Sequence, residues 1–282
     1  MTKCVIIGMA NYSPGTSAEV SGKFVCFFLI KRKSFTQFLL SDKIQVWELE
    51  GGIFMLECRD LEKKYLGKIA VRNFNLTIAQ GRVCALLGPN GSGKTTWMKM
   101  VAGLIAPNAG TITFFGEPVG KESKKHIAYM STEPFFYNYM TTKDVGKYYQ
   151  DFFEDFDLEK YGELVERMGL RMKDRAKTLS SGLAAKLKLA ATLARHASLY
   201  LLDEPLNGID IIAREQIIDA VMEVASANAT IVMSSHLVDE LEKFIDDAIF
   251  VKEGSIVLSG EAKALREEHG KTIVELYKEI YA

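Results

Sequence analysis

Apolar positions along the chain follow two alternating regimes. Short unbroken runs such as Val83-Cys-Ala-Leu-Leu87, Leu199-Tyr-Leu-Leu202 and Thr230-Ile-Val-Met-Ser-Ser235 are bounded by turn residues and read as strands buried on both faces. Stretches with helical spacing lie between them. The segment 141–153 opens with a Thr-x-x-Asp capping pattern, 158–168 has the same period, and the tail 261–282 reads as two amphipathic helices. Strands are also predicted at 55–64 and 71–78, as an antiparallel pair, and at 111–115, 127–130, 248–251 and 256–258. Strands alternating with helices imply an α/β sheet with helical layers.

Chemistry enters where the first buried strand ends. Residues 88–96 read Gly88-Pro89-Asn90-Gly91-Ser92-Gly93-Lys94-Thr95-Thr96, followed by a helix-like stretch from Trp97. This is the GxxxxGK(S/T) pattern of a phosphate-binding loop. Its glycines let consecutive backbone N–H groups converge on a β-phosphate, and the helix N-terminus adds positive potential there. Lys94 supplies a charge that bridges β- and γ-phosphates, the Thr95 hydroxyl is placed to ligate Mg²⁺, and Thr96 lines the α-phosphate side. In strand–loop–helix context the full pattern outweighs a bare turn.

The second buried strand ends in two carboxylates, Leu202-Asp203-Glu204-Pro205. A parallel strand points its C-terminal end into the ligand crevice of an open α/β sheet. Asp203 is the candidate to hold Mg²⁺, and Glu204, beside the γ-phosphate and off the metal, is the candidate general base for an attacking water.

With these motifs in place, the chain resembles, from about 55 to 282, the nucleotide-binding subunit of an ATP-binding cassette (ABC) transporter. The most specific element is Leu179-Ser180-Ser181-Gly182-Leu183 ahead of an apolar helix, where that family carries its LSGGQ signature. Ser180 and Gly182 match the serine and second glycine; Ser181 and Leu183 replace the first glycine and the glutamine. The resemblance implies that Ser180 and Gly182 grip the γ-phosphate of an ATP held by an opposing subunit. It also implies that Tyr65 stacks on adenine, that His236 bonds the γ-phosphate and orients the lytic water, and that Asp210 lies in the loop linking two ATP sites. One residue departs from the pattern: Thr132 stands where the family usually has a glutamine, and Glu133 reaches that place only if the loop slips by one residue.

The implied fold is a P-loop NTPase of the α/β class. It has a mixed central sheet, an N-terminal antiparallel β subdomain and a helical signature subdomain at about 133–196. The implied activity is ATP hydrolysis with Mg²⁺, carried out by two subunits packed head to tail, as a homodimer or with a paralogous ATPase subunit. The style of the motifs is most similar to bacterial exporter-type cassettes, which serve a separate integral membrane permease. A soluble ABC-type regulator or assembly factor using the same clamp is the second reading.

Composition narrows the setting. Lys plus Arg total 35 against 36 Asp plus Glu, for a net charge of −1, so there is no basic excess suggesting a nucleic-acid partner. Cys4, Cys26, Cys58 and Cys84 lack metal-ligand spacing and read as reduced cytosolic thiols. The run 24–30 is too short to span a bilayer, so a transmembrane path belongs to another chain and this one is expected on the cytoplasmic face of the cell membrane. Residues 1–54 match no part of the resemblance. Glu50-Gly51-Gly52 corresponds to a purine-rich coding stretch shortly before Met55, the position of a bacterial ribosome-binding site, so this segment is expected to be translated upstream sequence.

Overall fold

The structure is a computed structural model describing residues 54–282, apart from 134–135 and the side chain of residue 212; of residues 1–53 it describes only backbone strand segments. The expected upstream extension therefore lies outside the described residues.

Strand β1 (Gly52–Tyr65) pairs antiparallel with β2 (Lys68–Ala79) around a turn at Leu66 and Gly67. Next, β3 (Val83–Leu87) runs into the loop that opens α1 (Lys94–Val101). Strand β4 (Ala109–Phe114) returns to pair with β1 and with the short β5 (Glu117–Pro118), completing an antiparallel layer. Then come β6 (Ile127–Met130), α2 (Thr142–Phe152), α3 (Leu158–Arg167) and α4 (Ser181–Leu193). The chain continues through β7 (Leu199–Asp203), α5 (Ile211–Ser226), β8 (Thr230–Ser235) and α6 (Val238–Leu241). Strands β9 (Asp247–Lys252) and β10 (Ser255–Glu261) and helices α7 (Ala262–His269) and α8 (Ile273–Tyr281) end it.

The second sheet has the order β6-β7-β8-β3-β9-β10. Its pairings are parallel as far as β9, and β10 adds an antiparallel edge. Every residue of β3, β7 and β8 is buried, as expected for parallel strands covered on both faces. Side chains alternate between the faces. Cys84, Leu86, Leu199, Leu201 and Val232 join a core shared with α1 and the antiparallel layer, where Trp97 stacks on Phe74 with ring centroids 5.7 Å apart. Ala85, Leu87, Tyr200, Leu202, Ile231 and Met233 face the core under the remaining helices.

The capping pattern read at 141–144 is present, and two further caps join it. Thr141 forms a capping box with Asp144 at α2, Asp157 caps α3, and Thr272 and Glu275 form a second box at α8. Helix α1 begins at Lys94, earlier than the stretch from Trp97 suggested, because Gly93 in the left-handed region (φ 109°) ends the loop one residue before the lysine.

The helical layer is fastened to the sheet by Arg195, whose buried guanidinium bonds Asp155 at 3.0 Å and the Ile127 and Lys125 carbonyls at 2.8 Å, and stacks 4.1 Å above the Phe153 ring. The aromatic cluster there divides. Tyr149 and Phe156 are core, whereas Tyr137, Tyr139 and Phe152 are exposed.

Candidate functional site

The crevice lies at the C-terminal ends of β3, β7 and β8. Adjacent parallel strands in register, Asp203 against Ser234 and Ser234 against Leu86, bring three loops together there. Glycine is required at residue 93: a Cβ would sit 2.5 Å from the Ala70 carbonyl, and the backbone is left-handed. A Cβ on Gly88 would meet the Val251 carbonyl at 2.4 Å.

Lys94 is buried, and its ammonium donates to the Gly88 carbonyl at 2.7 Å and to Pro89 at 3.1 Å. Burial pushes this lysine below its ordinary range, and Glu204 opposes the shift. The Thr95 hydroxyl donates to Asp203 Oδ1 at 3.1 Å, Ser234 donates to the same oxygen at 2.8 Å, and Tyr129 donates to Oδ2 at 3.3 Å. Glu204 follows at φ 51°, an uncommon conformation for a non-glycine residue, with its N–H bonded to Ser234 Oγ at 2.9 Å. Its Oε1 lies 3.6 Å from Lys94 Nζ and its Oε2 lies 2.9 Å from His236 Nδ1.

Lys94, Thr95, Asp203, Glu204 and His236, from three separate stretches of sequence, thus form one contact network. Tyr65, Ser180 and Gly182 stand outside it. Tyr65 is exposed at the end of β1 with the Lys63 ammonium 5.4 Å from its ring centre. Ser180 is an exposed N-cap of α4, accepting from the Leu183 N–H at 3.3 Å. Gly182 packs on the following loop, where a Cβ would lie 3.1 Å from the Gly208 carbonyl, and Asp210 caps α5.

Three residues with no assigned role in the sequence join the site. Ser234 ties Asp203 to the backbone of Glu204. Tyr129 holds the second carboxylate oxygen. Lys188, buried in α4, donates to the Ser131 and Thr132 carbonyls at 2.8 and 2.7 Å. A lysine flanked by leucines in a mostly apolar helix was the available signal for Lys188, shared in part by Lys186 two residues earlier. Nothing local distinguishes Ser234 or Tyr129 from strand residues.

The residues fit a nucleotide with its metal. Ser92 Oγ is buried without a hydrogen bond among the described residues, and Glu204 Oε1, likewise without one, has the Lys94 ammonium 3.6 Å away; a bound polar ligand would give both a partner. Thr95 and Asp203 offer the hard oxygen donors that Mg²⁺ prefers, and one or two protein ligands suffice when phosphates complete the shell. No cluster of three His, Cys, Asp or Glu side chains suited to a stand-alone metal site occurs among the described residues.

Comparison with known proteins agrees with this geometry. The family model described as ABC transporter matches residues 71–207. The ABC transporter ATP-binding protein YtrB of Bacillus subtilis (strain 168) is 32% identical over 220 residues, covering 77% of this chain and 75% of its own. The lantibiotic transport ATP-binding protein SrtF of Streptococcus pyogenes is 32% identical over 209 residues, covering 73% and 91%. A solved ATP-binding subunit of an ABC transporter superposes with a TM-score of 0.72 at 24% identity, covering 80% of this chain and 98% of that one, and shares its fold. With the phosphate loop, the strand-end carboxylates and these relatives in agreement, the chain belongs to the ABC transporter family as an ATP-hydrolysing, ATP-binding subunit.

Proposed function

We propose that this chain binds ATP at the loop 88–96, hydrolyses it with Glu204 as general base, and uses the cycle to drive a separate membrane permease. The observation that carries the reading is the Lys94–Glu204–His236 constellation beside Asp203. A buried ammonium held by its own loop's carbonyls and paired with Glu204 at 3.6 Å is poised to exchange those carbonyls for phosphate oxygens, which are stronger acceptors.

Thr95 and Asp203 would hold Mg²⁺, which when bound neutralises charge on the phosphates. Glu204 takes a proton from water as its oxygen attacks the γ-phosphorus and the bond to the bridging oxygen breaks, leaving ADP and inorganic phosphate. His236, 2.9 Å from Glu204 Oε2, fixes the base and faces the reacting phosphate. The positive φ at Glu204 supports an active role, since strained non-glycine backbone persists where surrounding structure and function both require it.

Ser180 and Gly182 are outside the single-chain network, and this supports a composite site in which they reach the ATP of a second subunit, a homodimer or a paralogue, packed head to tail. ATP then joins the two surfaces, and loss of the γ-phosphate releases them. Tyr65, exposed at the end of β1, is the adenine-stacking candidate. No helix among the described residues is long and apolar enough to cross a membrane, which is consistent with a permease on another polypeptide. The groove lined by Lys99, Tyr129, Glu133, Tyr148 and Phe152 is the surface we assign to permease contact, placing the chain at the cytoplasmic face of the membrane.

The test is recovery of tagged Glu204→Gln protein from detergent-solubilised membranes with Mg·ATP. A co-purifying integral membrane protein whose association needs ATP supports transport; recovery with soluble proteins alone supports a regulator or assembly factor in its place.

A further inference from the structure

One connection in the molecule reaches the metal carboxylate from outside the conventional site. The loop 131–133 is gripped from two sides. On one side Lys188, in the body of α4, places its ammonium 2.8 Å from the Ser131 carbonyl and 2.7 Å from that of Thr132. On the other, Lys99 of α1 pairs with Glu133 at 3.5 Å. Within the loop, the Glu133 N–H donates to Ser131 Oγ at 3.1 Å, and two residues before Ser131, in β6, the Tyr129 hydroxyl donates to Asp203 Oδ2 at 3.3 Å. The path from α4 to Asp203 thus runs from Lys188 through the main chain of residues 129–132 to the Tyr129 hydroxyl.

An ammonium enclosed in an apolar helix face is costly unless its donors are met. Here two successive main-chain carbonyls meet them, which fixes the loop's backbone more tightly than one side-chain contact does. Asp203 acts on the same lysine through space and opposes the effect of its burial. The loop held in this way is the one where Thr132 occupies the position of the expected glutamine.

We propose that Lys188 is a positioning residue for the metal site: by clamping residues 131 and 132 to the signature helix, it orients Tyr129 against Asp203, so that movement of that helix is felt at the Mg²⁺ ligand. The inference rests on the assignment of Asp203 to the metal. Outer-shell partners of metal ligands characteristically alter metal affinity by about 10- to 100-fold.

The experiment is calorimetric measurement of ATP affinity in EDTA and in Mg²⁺ for the full chain and for Lys188→Met, Lys188→Arg and Tyr129→Phe. The expected result is EDTA affinity unchanged within about twofold, with the Mg²⁺-dependent gain cut about tenfold in Lys188→Met and Tyr129→Phe and largely restored in Lys188→Arg, which keeps two donors. If Lys188→Met does not fold, Tyr129→Phe, which loses one hydroxyl, decides the matter. A full Mg²⁺-dependent gain in the variants, or an equal loss in EDTA, overturns the inference. A wild-type chain whose ATP binding ignores Mg²⁺ overturns the metal assignment itself, and the inference with it.

Discussion

His236 Nδ1 lies 2.9 Å from Glu204 Oε2, although the two residues are 32 positions apart and leave different strands. The contact arises because β7 and β8 are parallel neighbours with Asp203 opposite Ser234, so the residues just beyond each strand end emerge side by side. Such a histidine both holds the carboxylate and faces the crevice.

Replacing His236 with Ala should therefore lower kcat for ATP hydrolysis on the order of 100-fold while leaving ATP affinity nearly unchanged. Steady-state phosphate release and equilibrium binding on the same preparation check this. Parallel loss of binding would instead make His236 a binding residue.

Arg195 should be a stability hot spot without a catalytic role. Removing its guanidinium strands Asp155 and the carbonyls of Ile127 and Lys125, so Arg195→Ala should destabilise the fold by about 3–5 kcal/mol. Urea denaturation measures the difference.

Cys58 is fully enclosed and burial pushes its thiol up to about 12. The thiolate is the reactive form, so almost none of Cys58 is available to alkylate at pH 8. Cys84, also raised by burial, should behave alike. Native-state iodoacetamide treatment followed by peptide mass spectrometry should find both unmodified until the protein is unfolded; rapid native labelling would contradict the packing.

The sequence made the parts of this site legible unequally. Residues 88–96 and Asp203–Glu204 were readable because their chemistry is compressed into contiguous spacing, and the buried strands because they are unbroken apolar runs. Ser234, Tyr129 and Lys188 were not. Their roles depend on which strand neighbours which, a non-local fact that a β8 serine or a β6 tyrosine carries no local mark of. The Lys94 helix start was misjudged for a related reason: Gly93 sets it through a left-handed turn that composition alone does not fix. Helical period within 141–153 likewise shows a face and not what covers it: Tyr149 is core and Phe152 is exposed.

If Ser180 serves a second subunit's ATP, the hydrolysis-blocked Glu204→Gln protein should sediment as a dimer in ATP and as a monomer in ADP. Adding Ser180→Arg at the helix start should abolish the ATP dimer. A monomer under both conditions would argue against the composite site for this chain alone and direct attention to a paralogous partner.

In the proposed reaction Glu204, as general base, converts ATP bound at Lys94 into ADP and phosphate. Its most direct test is ATP turnover by the wild-type chain and Glu204→Gln, with binding measured alongside. The wild-type chain should hydrolyse ATP, and the variant should retain binding with turnover reduced by a factor on the order of 1000. Undiminished turnover in Glu204→Gln would contradict it.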